Sequence, residues 1–353
     1  MDIISKMIAF LLDNANPSIV YRIKKEILKE PDSKETKQLQ MRMLEEQMIK
    51  TIFSYQKENG WIGTGLHTRE KKSARFENQE TAVKYLTQKG LEKDHPVLKR
   101  AMDAFATVPL TDSCYQTRGM VYDEFQYTAF GMNLVRCACI ARAGYHDRID
   151  IEPQIQLSLD SFHRVLEVDS VLDVSRSMKK RRVFHDYEKW PCRYHLDILA
   201  HTGTWKSVDN IKMLAKAMKK LMRTDRPEFI DLNVACWIGH AINTLGGFAE
   251  GFRIDEVKHN THDIHFEYLE WLARCGLVKH INQLQDTVEI IMDSIDEEGI
   301  CRLDFDEKMF KGWGAYGGLR LEEDWKSPLR KSCDLTFRAL LIIYYSELYE
   351  KNM

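Results

Sequence analysis

Cys192-x2-His195 and Cys236-x3-His240 each bring a thiol and an imidazole within one turn of an expected helix. Two such pairs on facing helices could complete a tetrahedral zinc site, for which thiolate and imidazole are the usual donors. Buried cysteines and a hydrogen-bonded core histidine account for the same residues without metal, so no metal or other cofactor is expected. Five acids, Glu77, Asp123, Glu124, Asp231 and Asp334, stand near expected helix starts. There a carboxylate caps free amide hydrogens and meets the positive end of the helix dipole. Glu77 and Asp334 are the candidate catalytic pair: facing one cavity with separated pKa values, they could serve as general acid and base.

Trp61, His67, Trp205, Trp313, Tyr316 and Trp325 fall in or beside turns between helices. From such turns Trp61, His67, Trp205, Trp313 and Tyr316 could line a ligand cavity, and aromatic faces there would stabilise a developing cation. The plainer alternative is that they plug helix junctions. His259, His262 and His265 in HNTHDIH approach one another if helical, a spacing that suits metal binding, pH sensing or a polar helix start. The run Arg176-Ser177-Met178-Lys179-Lys180-Arg181-Arg182, followed by Phe184, His185 and Tyr187, could grip phosphates or solubilise an exposed loop.

The elements that must position these residues read as helices almost throughout, because apolar residues return every three or four positions. Helices are expected at 19–28, 41–53, 77–88, 95–107, 124–143, 153–167, 190–200, 207–222, 230–246, 263–275, 280–295 and 333–349, with almost no strand signal. Lys89-Gly90 and Asp94-His95-Pro96 mark short turns, which implies antiparallel pairs. Longer breaks lie at 108–123 and 297–331. One turn recurs: Gln56-Lys57-Glu58-Asn59-Gly60-Trp61 is its clearest copy, with weaker echoes at His201–Trp205, Glu298–Cys301 and Lys311–Gly314. Stacked helical hairpins hide their apolar stripes only against successive neighbours, in an open solenoid or a closed ring.

The chain has 353 residues, and 44% hydrophobic content can fill one large core, so a single domain over 1–353 is expected. Fifty-one basic against fifty-three acidic side chains leave a net charge of −2, which argues against nucleic acid as a partner. No apolar run reaches the ~20 residues of a membrane span. The eight cysteines lack regular spacing, and the N-terminus reads as a helix, not a signal peptide, so the cytoplasm is the expected location. The oligomeric state is left open.

The QKENGW turn resembles the Gln-to-Trp repeats of the squalene-cyclase and protein-prenyltransferase superfamily. The order of pieces around it adds to the resemblance: Asn16-Pro17-Ser18-Ile19, NQETAVKYLTQKGLEKDHPVLKRAMDAF, HLDILAHTGTW, GWGAYGGLRLEEDW and DLTFRALLIIYYSEL. The resemblance implies an all-α fold, a closed α/α toroid of helical hairpins, with a small or apolar ligand in its central cavity. It does not carry either family chemistry across. The Asp-x-Asp-Asp proton donor of the cyclases is missing, and the helix after Gly317-Gly318-Leu319 lacks the zinc-binding histidine of the prenyltransferases. Alternatives kept open are a non-catalytic interaction scaffold, an α/α-barrel carbohydrate-active enzyme, and a zinc-dependent lanthipeptide-cyclase-like enzyme.

Overall fold

The computed structural model describes residues 2–67, 76–115, 131–178, 181–185, 189–222, 234–238, 241–243, 266–304 and 320–348. Among them are thirteen α-helices: α1 (Ile3–Asn14), α2 (Pro17–Arg22), α3 (Lys34–Leu44), α4 (Gln47–Ser54), α5 (Gln79–Gln88), α6 (Pro96–Thr107), α7 (Met132–Arg142), α8 (Glu152–Glu167), α9 (Arg193–His201), α10 (Val208–Leu221), α11 (Phe266–Arg274), α12 (Asn282–Asp293) and α13 (Pro328–Ser346). A π-helical stretch, Ile23–Ile27, continues α2. The all-α expectation therefore holds for the bulk of the described chain. Local chemistry sets the helix starts. Asn16, Asn78 and Ser207 each accept an amide hydrogen from the first turn of α2, α5 and α10, and Pro17, Pro96 and Pro328 occupy positions that need no donor.

Two kinds of helix alternate along the chain. Helices α5, α9 and α11 bury residues on every face, Gln79–Leu86, Arg193–Ala200 and Phe266–Ala273 respectively, and α13 buries nearly all of Cys333–Tyr344. Helices α6, α8, α10 and α12 bury one stripe and expose the other, as amphipathic outer helices do. Helix α7, which buries Met132, Leu134, Val135 and Cys137–Ala141, joins the enclosed set, whose members touch in chain order, α5 with α7, α7 with α9, α9 with α11 and α11 with α13, while α8 lies against both α9 and α10. Connections alternate too. Those leaving α5, α7, α9 and α11 are short, at 89–95, 143–151, 202–207 and 275–281; those entering α5, α7, α9, α11 and α13 are long, at 55–78, 108–131, 168–192, 222–265 and 294–327. One cluster of buried side chains, from Ile4 to Tyr344, draws on all thirteen helices.

The Gln-to-Trp turn is present twice in the same hydrogen-bonded form. Lys57 N donates to Trp61 O at 2.8 Å and Gly60 N to Lys57 O at 2.9 Å; Asp296 N donates to Ile300 O and Gly299 N to Asp296 O, both at 3.0 Å. Gln56 ties the first copy down, its amide reaching Gly60 O at 3.0 Å and Val97 O, at the start of α6, at 2.8 Å. Gly60 and Gly299 both adopt positive φ, 85° and 83°. The first lies against the Arg100 backbone in α6 and the second against the Lys6–Met7 backbone in α1. The later turn thus meets α1 as the earlier one meets α6, and α1 also packs along α13.

Strands are few, as expected from the sequence. Four short strands, β1 (Ser175–Met178), β2 (Arg181–Phe184), β3 (Val234–Ile238) and β4 (Ala241–Asn243), form one sheet in that order. Arg176–Met178 and Arg181–Arg182 of the basic run therefore lie in two antiparallel strands, with Arg176 opposite Val183. Within the helix expected at 230–246, residues 234–238 and 241–243 form β3 and β4 instead, and β3 pairs in parallel with β2, Arg182 opposite Val234. The cause is non-local. Strand pairing with a segment some fifty positions earlier overrides a weak helical period.

Candidate functional site

A charge carried into a protein interior costs several kcal/mol unless partners replace its water, so buried charges must converge. Two enclosed helices carry charged or polar side chains on one face, four residues apart: Glu80, Lys84 and Gln88 on α5, and Arg193, Asp197 and His201 on α9. Helix α11 adds Glu267, Glu270 and Arg274, and α13 adds Asp334 and Arg338. Glu267 is the hub. Lys84 Nζ lies 2.8 Å from its Oε1, Arg193 Nη2 3.1 Å from its Oε2, Gln88 Nε2 3.1 Å and Arg142 Nη1 3.7 Å from Oε1. Arg142 also pairs with Asp197. Gln88 passes the chain on, its side-chain Oε1 accepting from Arg338 Nη2 at 3.3 Å, and Arg338 reaches Glu270 at 3.3 Å.

These contacts fix the charge states. Burial pushes the Glu267 carboxyl up, but Lys84, Arg193 and Arg142 together outweigh it and hold it well below the ordinary range. Burial brings Lys84 down to about 8, against the pull of Glu267 and with help from Arg193 and Arg142.

At the N-terminal end of the same helices stands a different arrangement. Glu80, in the first turn of α5, places Oε2 2.5 Å from His67 Nδ1 and receives the Tyr194 hydroxyl on Oε1 at 2.5 Å. Burial raises Glu80, but His67, the Tyr194 hydroxyl and Arg193 prevail and keep it ionised below its ordinary value. Burial lowers His67, yet Glu80 outweighs both it and Arg193, so the imidazolium is favoured. His67 keeps 21% of its side chain accessible, whereas Glu80 keeps 6%. A buried carboxylate that orients a partly accessible imidazole, with a phenol on its other oxygen, can store and deliver a proton. The long connections enter the enclosed helices at this end.

The residues singled out by sequence are dispersed. His67 enters this arrangement. Trp61 is buried edge-on against Phe105 and Tyr115, with centroids 5.6 and 5.2 Å away, and Trp205 donates Nε1 to Leu199 O at 2.9 Å. Both fill helix junctions. Glu77 is half-buried, its carbonyl accepting from Thr64 N at 3.2 Å. Asp334 Oδ2 accepts from Leu321 N, Glu322 N and Trp325 Nε1 at 2.7, 3.1 and 2.9 Å, pinning the segment that leads into α13. Trp313 and Tyr316 lie outside the described residues, as do His259, His262, His265, Asp123, Glu124 and Asp231.

The zinc geometry is corrected. Cys192 caps α9 and its N–H donates to His195 Nδ1 at 2.9 Å, but Cys236 belongs to strand β3, and His240 lies outside the described residues. The two pairs therefore do not sit on facing helices. Among the described residues no three side chains of metal-binding type cluster. Nor is any described helix long and apolar enough to cross a membrane.

Glu80 and Tyr194 are the residues that sequence reasoning missed. The available signal was a polar stripe at 80, 84 and 88 in a helix otherwise suited to burial. No family model matches this chain, and no curated protein or solved structure matches it.

Proposed function

We propose that the chain is an α/α toroid and an acid–base enzyme, acting on a polar, hydroxyl-rich substrate at the N-terminal end of its enclosed helices. The toroid reading is supported by alternating enclosed and amphipathic helices, by alternating short and long connections, and by the packing of α1 on α13 and on the Gly299 turn. The functional reading rests on one observation, the carboxylate of Glu80 shared between His67 and Tyr194. His67 would exchange the proton with substrate, Glu80 would hold the imidazole and offset its charge, and Tyr194 would fix Glu80. The charged interior favours a carbohydrate-like ligand over the apolar one, because a hydrocarbon would desolvate these groups without replacing their hydrogen bonds.

A non-catalytic scaffold is the second reading, favoured by the ion pairs that engage Lys84, Arg142, Arg193, Asp197 and Glu267 with one another. The discriminating experiment is an activity screen of neutral and uronic-acid oligosaccharides, with an isoprenoid diphosphate as the apolar arm. His67→Asn and Glu80→Gln serve as controls that retain side-chain volume. Turnover of a saccharide that both variants abolish supports the enzyme. Turnover of the diphosphate alone supports the apolar-ligand reading, and no turnover by folded protein supports the scaffold.

A further inference from the structure

A cavity of about 390 Å³ opens at the opposite end, where α5, α7, α9 and α11 finish. Its walls include Arg22 at the end of α2, Lys25 within the π-helical stretch, Arg142 from α7, His201 from α9, and Trp271 and Arg274 from α11. Helices of π type are rare and recur at functional sites, because the wider turn redirects side chains. Five arginine and lysine side chains line the space against three glutamates, an excess of two positive charges.

Most of these charges have partners: Arg274 bridges Glu26 and Glu270, and Lys25 reaches Asp32 at 2.8 Å. Arg142 differs. Its Nη2 is held by Asp197, but its buried Nη1 makes no hydrogen bond, and its ion pair with Glu267 is long at 3.7 Å. Its guanidinium stands 5.4 Å from the Trp271 ring centroid, and His201 stands edge-on to the same ring at 6.3 Å. His201 Nδ1 lies 2.9 Å from Asp197 Oδ1, so Asp197 orients both the arginine and the imidazole. A guanidinium with one nitrogen not hydrogen-bonded, an oriented imidazole and a flat indole beside one cavity match an oxyanion joined to a ring.

We propose that this cavity is a second ligand site, taking a carboxylate or phosphate carried on a flat ring, with Arg142 and His201 holding the oxygens and Trp271 walling the ring. It is separate from the His67–Glu80 end and does not depend on the acid–base reading.

Calorimetric titration of the full chain at low salt with phenyl phosphate, benzoate, inorganic phosphate and uncharged benzyl alcohol tests it. Saturable binding of phenyl phosphate or benzoate is expected, tighter than inorganic phosphate, with none for benzyl alcohol; the stronger of the two names the oxyanion. Arg142→Gln should weaken binding about tenfold or more, the usual loss for a hydrogen bond to a charged group. His201→Gln and Trp271→Phe should weaken it too, and they cover the case that Arg142→Gln fails to fold. Glu80→Gln should leave it unchanged. No saturable binding of either ring-bearing anion would mean that the basic excess only offsets four helix C-termini, and would overturn the proposal. So would equal binding of benzyl alcohol, or affinity untouched by His201→Gln and Trp271→Phe.

Discussion

The hydroxyl of Tyr194 and the imidazole of His67 meet on one carboxylate, that of Glu80, each at 2.5 Å from a different oxygen. If the charge on Glu80 is what favours the imidazolium, Glu80→Gln must reverse the His67 shift. Burial and Arg193 would then act alone, and the His67 pKa should fall below its ordinary value of 6.5. Histidine proton NMR titration reads this directly. A His67 pKa that stays raised in Glu80→Gln would remove Glu80 from the role given to it.

Glu267→Gln should destabilise the chain by about 3–5 kcal/mol, because Lys84, Arg193 and Arg142 would keep buried positive charge without their shared acid. Pairing Glu267→Gln with Lys84→Met should recover part of that loss, since one stranded charge goes with its partner. Urea midpoints of the two singles and the double give the coupling; additive losses would show that the pair does not interact.

Glu322 takes Asn16 N on Oε1 at 2.9 Å, clasping the start of α2 to the segment before α13. Burial carries its carboxyl up to about 7; the Asn16 amide opposes the rise and Asp334 adds to it. The folded pKa lies above the ordinary 4.5, so this contribution to stability is complete below 4.5 and is lost as pH rises through 7. The loss is at most about 3 kcal/mol. Glu322→Gln should therefore gain stability relative to wild type at pH 8 and not at pH 4, a difference that equal shifts at both pH values would refute.

His195 runs the other way. Burial holds its imidazole down to about 3, with Nδ1 occupied by the Cys192 amide. A histidine with a depressed folded pKa contributes its stability in full above the unfolded value near 6.5 and loses it as pH falls toward 3. At pH 5 the loss is about 2 kcal/mol. His195→Asn, compared with wild type by denaturant unfolding at pH 7 and pH 5, should show a smaller acid-side loss.

Gly60 and Gly299 should tolerate alanine far less than Gly144. All three have positive φ, which costs a non-glycine residue about 1–2 kcal/mol. A Cβ at Gly60 would strike the Arg100 carbonyl and one at Gly299 the Lys6–Met7 backbone, whereas nothing stands within 4 Å at Gly144. Thermal unfolding should rank Gly144→Ala as the mildest of the three by a clear margin, and similar melting temperatures for all three would contradict the shared turn geometry.

Sequence alone determined what depends on near neighbours. The helical period, the Asn16–Pro17 start, the turns at Gly60 and Gly90 and the charge balance all follow from interactions within a few residues. Even the stripe of Glu80, Lys84 and Gln88 was legible as a pattern, because four residues return a side chain to the same face. Only the tertiary structure decided what that stripe meets. Lys84 reaches Glu267 across 183 positions, Tyr194 reaches Glu80 across 114, and Arg182 stands beside Val234 in a sheet that the local pattern does not announce. Partners so far apart are selected by how the whole set of helices packs, and a charge does not reveal from its own neighbourhood which helix will come to face it.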